Sequence, residues 1–233
     1  MSREHVEFFF DPVCPFCWVT SQWVRQVQDQ RDVRVTWRFI SLAILNEQPG
    51  SYEGKPEGYE AAHFRGLQML RVAAAVRDAY GPEVTGSLYK AFGEAVWHAD
   101  PPQEATFEAI LAHSSQAGNL ERLLEEVGVS TEFAAAADDP AWDPVVRADS
   151  EDALSRAGND VGTPILSFDP PDGPAFFGPV ISELPPADRG LELWDAVRTL
   201  AHWPGFAELK RSLRSFPETP LTRDLAGTRT RGR

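Results

Sequence analysis

Val6-Glu7-Phe8-Phe9-Phe10 is a short aromatic run stopped by Asp11-Pro12, the pattern of a buried strand. Behind it, Val19, Trp23, Val24 and Val27 recur at helical spacing on one face. Val33-Arg34-Val35-Thr36-Trp37-Arg38-Phe39-Ile40 then alternates apolar with polar positions and predicts a second strand, which completes a β-α-β unit. The stretch Pro49–Pro56, rich in Gly, Ser and Pro, reads as a linker. Beyond it the period becomes helical for about a hundred residues. Phe64, Leu67, Leu70 and Ala74 share one face, Phe107, Ile110 and Leu111 a second, and Leu120, Leu123, Leu124 and Val127 a third. Gly81-Pro82, Asp100-Pro101-Pro102 and Asp139-Pro140 punctuate these helices. Strands return at Ile165–Phe168 and Ala175–Gly178, and the Asp- and Pro-rich turn between them predicts a hairpin. A last helix places Leu193, Val197, Leu200 and Ala201 on one side. The predicted order is β-α-β, a helical block, then β-β-α.

Composition narrows this picture. Hydrophobic residues are 42% of the 233 and charged residues 24%, enough apolar material for a core in one domain, or one domain with an insertion. A net charge of −13 disfavours generic attraction to nucleic acid or anionic lipid. The acidic positions Asp138, Asp139, Asp143, Asp149 and Asp152 read as a solvated helical face. Arg223, Arg229, Arg231 and Arg233 give the end of the chain a basic character, and a mobile tail is expected there. No secretory signal pattern opens the chain, and no apolar run approaches the roughly 20 residues of a membrane span, so a soluble cytoplasmic protein is the expectation.

The only two cysteines stand together in Cys14-Pro15-Phe16-Cys17. One bridge cannot staple a disulfide scaffold. His5, His63, His98, His113 and His202 show no His-x3–5-His spacing to complete a zinc site, so no metal is expected. The remaining reading is a redox dithiol. A free cysteine with a pKa of about 8.5 is mostly unreactive thiol at neutral pH. At a helix N-terminus, unpaired N–H groups and the positive dipole end favour the thiolate. Pro15 suits the first helical turn, where its missing N–H is no loss. This geometry predicts Cys14 as the exposed nucleophile and Cys17, one turn further in, as the resolving thiol.

Phe8–Trp18 with its dithiol, the helical block, and Gly162-Thr163-Pro164 resemble the DsbA-like group of the thioredoxin superfamily, in its FrnE-like branch. Ser41–Glu47, Asp160–Pro164 and Phe176–Val180 are similar to the mycothiol-dependent nitroreductases of that branch. The resemblance implies an α/β thioredoxin-like fold of the DsbA type with a large α-helical insertion. Residues 1–50 and 155–215 would form the thioredoxin-like domain, residues 51–154 the insertion, and residues 216–233 a flexible basic tail. It implies Cys14 and Cys17 as the catalytic pair, a cis Thr163-Pro164 facing them, and Pro15 and Phe16 beside the bound thiol or substrate. Phe16 stands where the similar members of that branch carry Trp and keeps an aromatic wall. Asn46 and Tyr59 are implied as further residues of the cleft, and Glu7 as a buried proton relay. The implied activity is cytoplasmic thiol–disulfide exchange with mycothiol, a low-molecular-weight thiol, as reductant and no tightly bound cofactor. The substrate would be a small disulfide or electrophile, nitro compounds included. Neither nucleic acid nor a membrane is an expected partner, and a homodimer is allowed. Two other readings stay open: a glutathione- or thiol-dependent isomerase or transferase, which needs no second cysteine, and a redox-sensing binding module, which would oxidise once without turnover.

Overall fold

The structure, a computed structural model, describes residues 3–211, 213–225 and 229–231. Strand β1 (Glu4–Phe10), helix α1 (Pro15–Gln28) and β2 (Val33–Phe39) form the predicted unit, with β1 and β2 parallel. Strands β3 (Ile165–Phe168) and β4 (Ala175–Phe177) form the predicted hairpin. β3 lies antiparallel to β1, and the sheet order is β2-β1-β3-β4.

The pleat sorts β1 by parity, because alternate side chains leave opposite faces. Val6, Phe8 and Phe10 join the main core with Trp18, Trp23 and Val27 of α1, whereas Phe9 joins a smaller cluster with Ile40, Ala153 and Ile165. Helix α8 (Ala187–Ala201) closes the α1 side, where Trp194 lies 5.5 Å from Trp23 and 5.8 Å from Phe168 between ring centres. The opposite face is covered by α7 (Asp143–Ala157).

Between β2 and α7 run α2 (Leu42–Leu45), α3 (Tyr59–Tyr80), α4 (Val84–Trp97), α5 (Phe107–Ser114), α6 (Leu120–Val127) and two 3-10 segments, Thr131–Asp138 and Pro140–Trp142. The fold is thus mixed α/β, with a helical insertion in a DsbA-like thioredoxin architecture. A close approach between helices seats the insertion on the sheet unit. Gly93 of α4 faces Trp18, and a Cβ there would fall inside the indole ring. Gly93→Ala is therefore expected to lose up to about 2 kcal/mol, the difference between overpacking of about 1–3 kcal/mol and the helix-propensity gain of about 1. Urea denaturation measures it, and unchanged stability would show that Trp18 can yield.

Several expectations need correction. Phe64 is exposed with the Arg71 guanidinium near its ring, while Leu67, Leu70 and Ala74 are buried. The acidic positions are largely not a solvated face. Asp149 is buried, pairs with Arg38 and Arg77, and accepts the Phe39 N–H at 3.1 Å. Asp152 pairs with Arg38 and Arg156, and Asp143 with Arg71. Apart from the Asp152–Arg156 pair within α7, these carboxylates neutralise arginines brought in by β2 and α3, a pairing that only tertiary contact creates. The expected boundary at 154/155 falls inside α7.

Residues 216–225 are not a free tail. Leu221 is buried, its N–H donates to Trp97 O at 3.1 Å, and Phe216 packs on Phe107 at 5.7 Å. Further on, β6 (Arg229–Arg231) pairs antiparallel with β5 (Leu213–Ser215). The rest of the expected tail, residues 226–228, 232 and 233, lies outside the described residues.

Candidate active site

Cys14 is the N-cap of α1, and its sulfur accepts the Cys17 N–H at 3.4 Å. Pro15 occupies the first turn, where a helix has no partner for an N–H. The cis Thr163-Pro164 peptide meets the dithiol from the β3 side. Thr163 donates its hydroxyl to Cys14 Sγ at 3.1 Å, and the Cys14 thiol points to Thr163 O at 3.9 Å. Phe16 packs half-buried against the main core.

Cys14 is not the exposed group that local sequence geometry predicts. It keeps only 5% of its surface, and Cys17 keeps none. Both are free thiols. Burial alone would push the Cys14 pKa up, but the Cys17 thiol, the Thr163 hydroxyl and the Cys17 N–H outweigh it and hold Cys14 below its ordinary value. Cys17 moves the other way. Burial, followed by the hydrogen bond to Cys14 and the Cys14 charge, holds its proton firmly, well above the ordinary thiol range. The two sulfurs are thus shifted in opposite directions, Cys14 toward the thiolate and Cys17 toward the thiol.

The Thr163 hydroxyl gives a direct test. Thr163→Val keeps the shape and removes the donor. Alkylation of Cys14 by iodoacetamide at neutral pH is expected to slow about tenfold or more, the scale of one hydrogen bond to a charged group. An unchanged rate would assign the thiolate to the α1 terminus alone.

A buried carboxylate does approach the dithiol, but it is Asp11 and not Glu7. Glu7 faces the α7 side of the sheet, where Arg156 binds it at 2.6 Å and Arg38 at 3.5 Å. Its odd position on β1 turns it away from α1, whereas Asp11 follows the strand end and lies completely buried under the dithiol loop. Asp11 accepts the N–H of Val13 at 3.0 Å and of Leu42 at 2.8 Å, and its backbone oxygen accepts from Cys14 N at 3.1 Å. Burial pushes its carboxyl up to about 7, although the two N–H donors pull it back. Its charge opposes the Cys14 thiolate. Gly66 of α3 seals this carboxylate from above, since any Cβ there would collide with Asp11 Oδ1 and Val13. The sequence placed Asp11 between strand and dithiol, but as a strand stop it carried no sign of its burial.

Tyr59 lies within electrostatic reach of Cys14. Burial, then the Cys14 charge, raises its phenol pKa, and its ring lies 4.5 Å from His63 and 6.3 Å from Phe107. His63, unassigned in the sequence, is buried and held neutral, its pKa lowered to about 4 by burial and by Lys55. Its Nδ1 meets the Tyr52 hydroxyl at 3.2 Å. Asn46 is placed differently: its amide donates to Leu42 O at 2.8 Å and closes the end of α2. Among the described residues, no group of three or more His, Cys, Asp or Glu is arranged to hold a metal ion, and no helix is long and apolar enough to cross a membrane.

Residues 13–211 match the model of a family described as Rv2466c-like, mycothiol-dependent nitroreductase Rv2466c. The chain is 31% identical over 227 residues to uncharacterized protein Rv2286c of Mycobacterium tuberculosis, covering 97% of this chain and 87% of that one. Among solved structures, the probable DsbA oxidoreductase SCO1869 of Streptomyces coelicolor superposes with a TM-score of 0.51 at 18% identity, over 93% of this chain and 97% of its own. A 2-hydroxychromene-2-carboxylate isomerase superposes with a TM-score of 0.51 at 15% identity, over 84% of this chain and 95% of its own. These two likenesses concern the fold.

Proposed function

The chain belongs to the Rv2466c-like family of mycothiol-dependent nitroreductases, and on that premise we propose that it is a cytoplasmic thiol–disulfide oxidoreductase reduced by mycothiol. The observation that carries the reading is the asymmetric dithiol, in which Cys14 caps α1, accepts the Thr163 hydroxyl and the Cys17 N–H and has its pKa lowered, while burial holds the Cys17 proton. In the first step the Cys14 thiolate attacks a disulfide, forming a mixed disulfide and releasing one thiolate. Cys17, or a mycothiol thiol, then attacks that bond and releases the second. Two mycothiol thiols return the Cys14–Cys17 disulfide to dithiol and leave as mycothiol disulfide. A nitro electrophile fits the same balance: two electrons and two protons from the dithiol convert it to a nitroso group and water.

The residues around the sulfurs have corresponding parts. Thr163 and the Cys17 N–H stabilise the attacking thiolate. Pro15, Phe16, Thr163 and Pro164 form the surface against which the second half of a mixed disulfide lies. Tyr59 supplies an aromatic wall on the insertion side. Asn46 acts through the loop it caps, and Glu7 through its ion pairs.

The test is to oxidise the protein, then offer mycothiol, glutathione or thioredoxin with its reductase, and identify the Cys14 adduct by mass spectrometry. A mycothiol adduct followed by recovery of the dithiol is expected. Reduction by thioredoxin alone, without a mycothiol adduct, would overturn the choice of reductant.

A further inference from the structure

The first two turns of α1 are buried further round than a helix lying on a sheet requires. Cys17, Trp18, Val19, Thr20 and Ser21 are consecutive buried positions. With about 3.6 residues per turn they encircle the helix, so its outer side is covered as well as the side on the sheet. Helices α8 and α4 account for the flanks: Trp23 Nε1 donates to Gly190 O at 2.9 Å, and Gly93 faces Trp18. The Thr20 hydroxyl donates to Pro179 O at 3.0 Å, in the connection from β4 to α8. On the other side, Trp97 at the end of α4 donates its indole N–H to Pro12 O at 2.9 Å, two residues before Cys14.

A segment near the end of the chain joins these flanks. The Glu218 N–H donates to Ser182 O at 2.7 Å on the α8 side, and the Leu221 N–H donates to Trp97 O at 3.1 Å on the α4 side. Chain of that length spans roughly 11 Å at most, so the bridge is short. It is also folded in its own right. Thr219 N–H donates to Thr222 Oγ1 at 2.9 Å, Thr222 N–H to Thr219 Oγ1 at 3.2 Å, and the Thr222 hydroxyl to Pro217 O at 2.5 Å. Thr219, Leu221 and Thr222 are buried. Strands β5 and β6 pair on either side and gather the ends, the plan of an Ω-loop. At its start Phe216 packs on Phe107, and Phe107 lies 6.3 Å from Tyr59, which feels the Cys14 charge. The family match ends at residue 211, so family membership does not account for this segment.

Such a bridge bears on what can reach Cys14, which keeps only 5% of its surface. A disulfide holds its two Cα atoms roughly 4.4–6.8 Å apart, so a protein substrate must bring its own backbone that close to the nucleophile. A small thiol or disulfide brings no chain on either side of its sulfur. We propose that residues 216–225 are a strap over the start of α1 that sets the substrate class, admitting low-molecular-weight thiols and disulfides to Cys14 and keeping out the disulfides of folded proteins. The proposal deepens the oxidoreductase reading and rests on it for Cys14 as the reacting sulfur.

Two variants test it. Leu221→Asp places a charge at the buried position that fastens the strap, and a chain ending at residue 211 lacks the strap altogether. Labelling of Cys14 is timed with N-ethylmaleimide and with a maleimide carried on a long polyethylene glycol, and the labelled site is read by mass spectrometry. The ratio of polymer rate to small-reagent rate is expected to rise at least about tenfold in both variants, because in the wild type only locally opened molecules admit the polymer. In single turnover the reduced wild type is expected to reduce 5,5′-dithiobis(2-nitrobenzoate) but not insulin, and both variants to reduce insulin as well. An unchanged labelling ratio, or insulin reduced by the wild type as fast as by the variants, overturns the strap. Labelling of Cys17, fully buried in the wild type, would mark a variant as unfolded. The other variant then decides, and unfolding of both overturns the proposal by assigning the segment to the core. A wild type inert toward 5,5′-dithiobis(2-nitrobenzoate), with the labelling ratio still raised in the variants, would instead overturn the thiol–disulfide reading and leave the strap in place.

Discussion

Cys14→Ser is expected to abolish mycothiol-dependent reduction, by about a thousandfold or more, because serine cannot form the attacking anion at neutral pH and removal of a covalent nucleophile stops the cycle at its first step. The physical basis is a sulfur that accepts the Cys17 N–H at 3.4 Å and the Thr163 hydroxyl at 3.1 Å at a helix start. A serine oxygen there keeps both donors and still carries its proton. Cys17→Ser behaves differently. It should form the Cys14 mixed disulfide as fast as the wild type, accumulate it, and keep partial turnover with excess mycothiol, which can resolve the adduct from solution. Mass spectrometry of trapped adducts and steady-state turnover distinguish the two. Full activity in Cys14→Ser would remove the thiol mechanism altogether.

Asp11→Asn carries the largest expected effect on stability. The carboxyl sits at about 7 in the folded protein, against an ordinary value of 3.8, because it is completely buried. An acid whose folded pKa is raised binds its proton more tightly when folded. Native stability therefore falls as pH rises from about 4 to about 7, and the group contributes no further change above that. The gap converts to about 4 kcal/mol, an order of magnitude for the full span. Asn removes that slope. It also leaves either the Val13 or the Leu42 N–H without its carboxylate acceptor, a pH-independent cost of about 1–3 kcal/mol. Against the wild type, the variant should therefore be weaker near pH 5 and recover ground by pH 8, as measured by urea denaturation at both. A constant difference between the two proteins would mean that Asp11 does not titrate in this window. The variant should also alkylate faster at Cys14, since the Asp11 charge opposes the thiolate.

Much of the fold was legible in the chain because its signals are local. The aromatic run of β1, the alternation in β2 and the turn between β3 and β4 each depend on residues within a few positions of one another. The same holds for the Cys14 cap, where Pro15 and a three-residue spacing suffice to put one sulfur at a helix start and the other a turn inside. Thr163 and Pro164 were legible only through family resemblance. Nothing in a Thr-Pro dipeptide indicates a partner 163 − 14 = 149 positions away, the separation of the Thr163–Cys14 hydrogen bond.

The misplaced residues share one cause. Glu7 and Asp11 are both carboxylates on the approach to the dithiol, and sequence distance cannot rank them. Strand parity and the α7 arginines claim Glu7, whereas the close approach of α3 at Gly66 buries Asp11. Asn46 and Tyr59 were equal candidates for the cleft. A hydrogen bond within its own short helix occupies Asn46, and only Tyr59 senses the Cys14 charge. The acidic run around α7 looked solvent-facing because its arginine partners come from β2 and α3.

By itself, then, the sequence determined that two sulfurs stand together at a helix start, the helix that presents them and the strands that flank it, since periodicity and capping act over one or two turns. Tertiary structure alone decided how those atoms differ. Burial of Cys17, the Thr163 hydroxyl on Cys14 and the Asp11 carboxyl beneath them arise from segments far apart in the chain. Protonation follows solvent access and neighbouring charge, and neither is defined until those segments are packed together.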